Sequence, residues 1–233
     1  MSRVVVGHRF VLEAIAAGTV RRVHVDRSRK RKLSDVLSAA RRAGLEVREI
    51  SRDALDELAG GVRHQGVVAT GPPFRFAPLE EVLRAPLVVA LDEITDPHNL
   101  GAILRSAVAF GATVLLPKHR AAGITPAVVR ASAGATEHAT IAQVTNLQRA
   151  LGEASDAGLQ IVGLAGKQDA IPLSDVPRAG ARVLVVGSEG KGLRRLVRQR
   201  CDFLASIPMR GPTESLNASV AAAIALYETV RLQ

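Results

Sequence analysis

The sequence predicts an α/β protein whose larger part is built on a mainly parallel sheet. Two observations carry this prediction. Beyond residue 84, short apolar runs alternate with helical patterns, and strands separated by helices form parallel sheets. The run Leu87–Leu91 is apolar throughout, as expected for a strand buried on both faces. The 233 residues, 47% of them hydrophobic, suffice for one large domain or two smaller ones.

The first part of the chain alternates helix and strand signals at a shorter spacing. Helical periodicity predicts three helices, over His8–Ala17, Leu33–Ala43 and Ser51–Leu58. Apolar runs predict three strands, at Val20–Val25, Leu45–Ile50 and Gly66–Ala69. The cluster Gly71-Pro72-Pro73, with Pro78 beyond it, is typical of a linker. We therefore predict a small α/β domain over residues 1–71, a linker over 72–84 and a larger domain over 85–233.

The second part repeats the same alternation with longer elements. Strands are predicted at Leu87–Leu91, Thr113–Leu116, Ile161–Leu164, Val183–Val186 and Phe203–Ile207. Helices are predicted at Leu100–Phe110, Pro126–Ser132, Leu147–Gly158 and Gly192–Arg200. Ser215 or Asn217 opens a last, Ala-rich helix that runs to about Arg231.

The excess positive charge lies mainly in the leading part. The whole chain has a net charge of +9, and residues 1–75 hold 15 Lys and Arg against 8 Asp and Glu. The densest run is Arg27, Arg29, Lys30, Arg31 and Lys32. Charge excess and clustering together favour a polyanionic partner, above all nucleic acid.

Several common chemistries lack their sequence patterns. Gly187, Gly190 and Gly192 do not have the spacing of a dinucleotide-binding loop, and Lys191 is not followed by Ser or Thr as in a phosphate-binding P-loop. The single cysteine, Cys201, cannot form an internal disulfide, and no histidine pattern predicts zinc. No run is long enough to span a membrane. We expect a cytoplasmic protein without a metal.

Three segments of the second part follow apolar runs and lead into helical patterns. They are Asn99 to Arg105, Gly187 to Gly192, and Ile207 to Asn217, all rich in Gly, Asn, Ser and single charges. In an open α/β sheet, loops that leave the carboxyl ends of strands form the ligand crevice. The sequence therefore predicts one composite site built by these three segments.

The order and content of the segments resemble the SpoU/TrmH family of knotted RNA ribose 2'-O-methyltransferases. Asn99-Leu100-Gly101 continuing to Arg105 is similar to its first motif, Val185–Gly190 to its second, and Ile207–Ala221 to its third. Gly7-His8 and His64–Ala69 are similar to the small L30e-like substrate domain of several members. The resemblance extends over nearly the whole chain and is greatest to the subgroup that methylates a guanosine ribose of 23S rRNA.

The resemblance implies S-adenosylmethionine as methyl donor, RNA as substrate and a homodimer formed through residues 85–233. It also implies that this domain is tied in a trefoil knot, which periodicity cannot show. Two sets of site residues carry over. The catalytic set is Asn99, Arg105, Glu189, Ser215 and Asn217. The cofactor-binding set is Gly187, Ile207, Leu216, Met209 and Leu164.

The role of Arg105 stays open at this point. In the mechanism that the resemblance implies, the arginine of the first motif is the base that takes the 2'-hydroxyl proton. An ordinary arginine has a pKa above 12, so a neutral guanidine at pH 7 costs about 7–9 kcal/mol. The alternative is a planar fork that holds a phosphate and orients the 2'-oxygen.

Other interpretations of the same residues also stay open. Asn99 and Ser215 are typical helix caps, and Gly187 and Gly190 are ordinary turn residues. Three alternative functions remain: a tRNA ribose methyltransferase, an enzyme for another rRNA target such as a resistance site, and a non-catalytic RNA-binding protein. Pro212-Thr213-Glu214 departs from the small polar residues expected before Ser215, which bears on target choice.

Overall fold

The computed structural model describes residues 3–166, 168, 170–177, 180–213 and 215–231. In chain order, its strands are β1 Arg3–Val6, β2 Arg22–Asp26, β3 Glu46–Ile50, β4 Val67–Gly71, β5 Leu87–Asp92, β6 Thr113–Pro117, β7 Ile141–Val144, β8 Gln160–Leu164, β9 Ile171–Pro172, β10 Arg182–Gly187 and β11 Phe203–Ser206. Its α-helices are α1 His8–Ala16, α2 Ser34–Arg42, α3 Arg52–Ala59, α4 Leu79–Leu83, α5 Pro97–Ala109, α6 Pro126–Ala131, α7 Leu147–Asp156, α8 Arg195–Arg198 and α9 Ala218–Arg231.

The chain divides into two compact units. The first contains residues 1–75 and 124–138, and the second contains residues 76–123 and 139–233. The first unit is a four-stranded mixed sheet in the order β1-β4-β2-β3 with helices packed on it. Its core is mainly aliphatic and is built around Val11, Val23, Leu33 and Val67. The basic run forms a 3-10 helix, Arg27–Leu33, whose last residue is buried in this core.

The second unit carries a seven-stranded sheet in the order β7-β6-β5-β10-β8-β11-β9. All neighbouring strands in it run parallel. The six residues of β5 are buried, and so are the first five of β10, because helices cover the sheet. The predicted fold class, a mainly parallel α/β domain preceded by a smaller α/β domain, is confirmed. The trefoil knot stays a prediction from the resemblance.

The structure differs from the predicted boundaries in two places. The stretch predicted as a linker over 72–84 contains α4, whose Val82 is completely buried in the core of the second unit. Residues 124–138 belong to the first unit, where α6 packs on β1 and Val129 joins the core. Glu137 of this insertion is buried and pairs with Arg3 at 2.5 Å. Contacts so distant in sequence leave no local pattern.

Candidate active site

The three predicted segments leave β5, β10 and β11 at the same edge of the second sheet. β10 lies between β5 and β8, and β11 follows β8. The loop after β5 leads into α5 with Asn99 in its first turn, the loop after β10 begins at Gly187, and the segment after β11 begins at Ile207. Since parallel strands end at the same edge, the three segments converge there.

Asn99 does not cap its helix. Asp96 is the N-cap of α5, with its Oδ1 accepting the backbone N–H of His98 at 3.0 Å, and Pro97 occupies the first helical position. Asn217 instead caps α9, because its Oδ1 accepts the backbone N–H groups of Ser219 at 2.9 Å and Val220 at 3.3 Å. The helix-cap interpretation therefore fails for Asn99 and for Ser215.

Asn99, Glu189 and Asn217 form an amide–carboxylate cluster that joins the three segments. Asn99 Nδ2 donates to Glu189 Oε1 at 2.8 Å, and Asn217 Nδ2 donates to Asn99 Oδ1 at 2.9 Å. Asn217 Nδ2 also donates to Glu189 Oε1, and the backbone N–H of Ala218 reaches the same oxygen at 3.4 Å. Oε1 of Glu189 thus accepts bonds from both of the other segments, so the cluster positions the loops around it.

The glycine loop, Gly187–Gly192, folds back on itself. Ser188 and Gly192 form an isolated antiparallel bridge, and the N–H of Gly192 donates to the carbonyl of Ser188 at 2.9 Å. A Cβ atom at position 187 would lie 2.3 Å from the carbonyl carbon of Gly192. Gly190 has a φ of 77°. A side chain at 187 would therefore force the loop open, which explains the glycine there.

A cavity of about 650 Å³, the cofactor pocket, opens between these loops. Its walls include Glu189, Ser215 and all five residues predicted to bind the cofactor: Leu164, Gly187, Ile207, Met209 and Leu216. Its size falls within the range of small-molecule sites. Aliphatic side chains, Met209 and the close backbone of the glycine loop suit a ligand with an adenine ring and a polar tail. The residues present therefore fit S-adenosylmethionine.

Arg105 is the predicted catalytic residue that does not join this assembly. It lies six residues after Asn99 on α5, which places it about 9 Å further along the helix axis. Its side chain is exposed, and within the described residues it has no hydrogen bond or ion pair and is not among those lining the cofactor pocket. Glu214 belongs to the segment Pro212-Thr213-Glu214, which departs from the small polar residues expected before Ser215, and it lies outside the described residues.

Sequence reasoning missed a buried carboxylate behind the glycine loop. Asp92, the last residue of β5, is completely buried and accepts two bonds from Arg194, at 2.8 Å from its backbone N–H and 2.6 Å from Nε. A charged residue that ends a fully apolar run, as Asp92 ends the run from Leu87, was the signal available in the sequence. Buried carboxylates require partners, so such a position marks a network.

The second unit thus has the architecture of an enzyme that binds a small organic cofactor at the carboxyl edge of a parallel sheet. Residues 86–227 match the model of the SpoU rRNA methylase family, and residues 4–77 match the model for RNA 2'-O ribose methyltransferase substrate binding. The chain belongs to the SpoU rRNA methylase family. Within the described residues, no group of three or more His, Cys, Asp or Glu side chains is placed to hold a metal ion.

Named relatives resemble the chain over almost its whole length. An uncharacterized tRNA/rRNA methyltransferase of Mycolicibacterium vanbaalenii is 44% identical, in a match that covers 99% of this chain and 76% of the relative. The SpoU methyltransferase AviRb of Streptomyces viridochromogenes, solved with AdoMet, is 29% identical with a TM-score of 0.81, covering 99% of this chain and 90% of that one. An AdoMet-bound rRNA methyltransferase of Sinorhizobium meliloti is 25% identical with a TM-score of 0.81, covering 99% and 87%.

These matches confirm the predicted family and, with it, a methyltransferase that acts on RNA. No helix of the described ranges is long and apolar enough to cross a membrane.

Proposed function

We propose that this protein transfers a methyl group from S-adenosylmethionine to the 2'-oxygen of a ribose in RNA, and that the target is a guanosine of 23S rRNA. The observation that carries the proposal is the amide–carboxylate cluster, which joins the three family segments at the mouth of the cofactor pocket. The match of residues 4–77 to a substrate-binding domain of RNA 2'-O ribose methyltransferases supports the ribose as acceptor. A cytoplasmic location follows from an rRNA substrate.

S-adenosylmethionine supplies an electrophilic methyl group on a sulfonium. The protein's part is to hold the acceptor oxygen in line with that methyl group, and such alignment can supply about 7–11 kcal/mol of the barrier. The Asn99–Glu189–Asn217 cluster fixes the loops that form the pocket, so that the reactants meet in one geometry. No metal or covalent intermediate is needed for this reaction.

The 2'-hydroxyl proton must leave as the oxygen–carbon bond forms. Ser215 lines the cofactor pocket with an exposed side chain, and Arg105 has an exposed guanidinium with no partner in the described residues. Both groups are therefore available to RNA. Arg105 acts either as a fork on a phosphate that orients the 2'-oxygen or as the proton acceptor.

We further propose a homodimer formed through α9. One face of this helix packs on α5 and β10 through Ala222, Ala225 and Leu226. The other face exposes Val220, Ile224, Tyr227 and Val230. An exposed apolar stripe at helical spacing suits a self-complementary contact.

Sedimentation should show twice 24.6 kDa at micromolar concentration, and Tyr227→Asp should shift the protein to monomer. A wild-type monomer would refute this part.

The decisive experiment is transfer of a labelled methyl group to unmodified 23S rRNA and to tRNA, each transcribed in vitro, with the product nucleotide mapped. Label on the ribose of a 23S rRNA guanosine is the expected result. Label on tRNA, or at another rRNA position, would establish one of the alternative targets. Tight cofactor binding without transfer to any RNA would indicate a non-catalytic RNA-binding protein.

A further inference from the structure

A second concave surface lies at the same edge of the sheet as the cofactor pocket. This cationic groove has a volume of about 480 Å³, and the polar residues that line it include His119, Arg120, Thr145, Asn146, Arg194 and Arg195. It forms where β6 ends at Pro117 and β7 ends at Val144. The N–H of Lys118 donates to the carbonyl of Val144 at 2.8 Å and holds these two ends together.

The chain itself connects the groove to the cofactor pocket. β6 and β7 lie on one side of β5, whereas the strands that end at the pocket, β10, β8 and β11, lie on the other. The segment after the glycine loop crosses between them: Leu193 lines the cofactor pocket, and Arg194, the next residue, lines the groove. An extended ligand lying along the carboxyl edge therefore reaches both cavities.

The groove presents positive charge that is not neutralised within it. No acidic side chain is among the residues found to line it in the described chain. Arg194 forms an ion pair with Asp92. Arg195 is exposed and has no ion pair within the described ranges. Arg120 is 74% exposed, and its Nη1 donates to Oε1 of Glu93 at 3.4 Å, but Glu93 is not among the residues that line the groove. His119 is exposed as well.

We propose that the cationic groove binds backbone phosphates of the RNA strand beside the nucleotide that enters the active site. Guanidinium groups bind phosphate oxygens in a planar fork, and phosphate contacts fix the register of a nucleic acid on a protein. The hydroxyl of Thr145 and the carboxamide of Asn146 add neutral hydrogen-bonding groups to the wall. The inference rests on RNA as the substrate and is independent of which atom of the RNA is methylated.

The test measures RNA affinity of the full chain as a function of salt, for the wild type, Arg120→Ala, Arg195→Ala and the double variant. The probes are 23S rRNA and tRNA transcribed in vitro. Each lost phosphate contact should lower the slope of log affinity against log salt by about 0.7–0.9 and lower affinity at 0.1 M salt about five- to tenfold. Affinity for S-adenosylmethionine should not change.

Arg84→Ala is the matched control. Arg84 is an exposed arginine of the same unit, but it precedes β5 and lies at the opposite edge of the sheet. Its loss should leave the salt slope close to that of the wild type. The proposal is overturned if Arg120→Ala and Arg195→Ala behave like Arg84→Ala, or if they weaken binding of S-adenosylmethionine as much as binding of RNA. Methylation mapped to an unexpected atom would refute the proposed function and leave this binding result standing.

Discussion

Asp92 ties the far end of the glycine loop to the sheet through Arg194. Its Oδ1 accepts Nε of Arg194 at 2.6 Å, and its Oδ2 accepts the backbone N–H of the same residue at 2.8 Å. Asp92 is also the register partner of Gly187 in the neighbouring strand. The carboxylate thus lies beside the first residue of the loop and binds a residue just beyond its last. It sets the position of the wall that carries Glu189.

Asp92→Asn should weaken both the fold and the cofactor pocket. The amide presents an N–H group to a donor of Arg194, so one of two buried bonds is lost, at a cost of about 1–3 kcal/mol in the free energy of unfolding. S-adenosylmethionine should bind at least several-fold more weakly. Urea denaturation and calorimetric titration measure these effects.

Glu93→Gln is the control, because Glu93 lies 3.8 Å from Arg194, which is too far for a hydrogen bond, and its side chain is more exposed than that of Asp92. Its effect on unfolding should stay within about 0.5 kcal/mol. An Asp92→Asn protein as stable as Glu93→Gln, with unchanged cofactor binding, would show that the bond does not position the loop.

The structure brings the proposed cofactor residues together, whereas the bonds among the proposed catalytic residues were not predicted from the sequence. All five proposed cofactor residues line one pocket, because loops at the ends of parallel strands must converge. The sequence did not predict that Asn99, Glu189 and Asn217 would bond to one another, since 90 and 28 residues separate Glu189 from its two amide partners. Side-chain bonds across such distances depend on strand order, which no local pattern records.

Short and inserted elements were the parts of the fold that escaped prediction. The core strands β5, β6, β8, β10 and β11 are continuous apolar runs and were located within a few residues. β1 and β7, of four residues each, were missed, and the Gly192–Arg200 helix is reduced to Arg195–Arg198. α6 was predicted, but its membership of the first unit depends on packing against β1. Periodicity reports local structure and is silent about such partners.

Among the glycines that line the cofactor pocket, replacement of Gly187 by alanine should weaken S-adenosylmethionine binding the most. The added methyl group would lie 2.3 Å from the backbone of Gly192, so the loop must open. We expect at least about a tenfold loss of S-adenosylmethionine affinity, which corresponds to 1.4 kcal/mol. Gly152→Ala, on α7 with its nearest neighbour 3.8 Å away, is the control and should bind normally. Equal affinities in the two variants would contradict the steric argument.

The basic run of the first unit should contribute to RNA affinity independently of chemistry. Arg31 and Lys32 are exposed on the 3-10 helix Arg27–Leu33. Replacing both with alanine should lower the salt slope of RNA binding by about 1.4–1.8 if each contacts a phosphate. This measurement requires the full chain, because removal of residues 1–75 would expose α6 and the core residue Val129, which pack in the same unit.

A matched pair on α2, Arg41→Ala with Arg42→Ala, removes the same charge from the same unit and should change the slope less. If both pairs lower the slope equally, the total charge of the unit, and not the run, attracts the RNA.

Cys201 should resist thiol reagents as long as the protein is folded. Burial, reinforced by Asp202, raises the pKa of its thiol to about 12. At pH 8 such a thiol carries on the order of a thousandfold less thiolate than a free one. Because the unfolded thiol ionises first, the thiol's contribution to stability is complete below about pH 8.5 and is lost as pH rises toward 12.

Reaction with a disulfide reagent at pH 8 should therefore be slow in buffer and fast in guanidinium. Above pH 9 the stability of the wild type should fall relative to that of Cys201→Ala, which cannot ionise there. Rapid labelling of the folded protein would show that the thiol is not held in its neutral form.

Arg105 provides the sharpest test of the chemistry. Because its side chain is exposed and has no partner in the described residues, Arg105→Ala and Arg105→Lys should change stability by less than about 0.5 kcal/mol. S-adenosylmethionine affinity should also hold, since the cofactor pocket is lined by the loops after β10 and β11. Turnover should fall at least about a hundredfold in both variants, because an ammonium lacks the planar fork and an alanine lacks the charge. A lysine variant with near-normal turnover would remove Arg105 from the catalytic set and leave it a surface residue of α5.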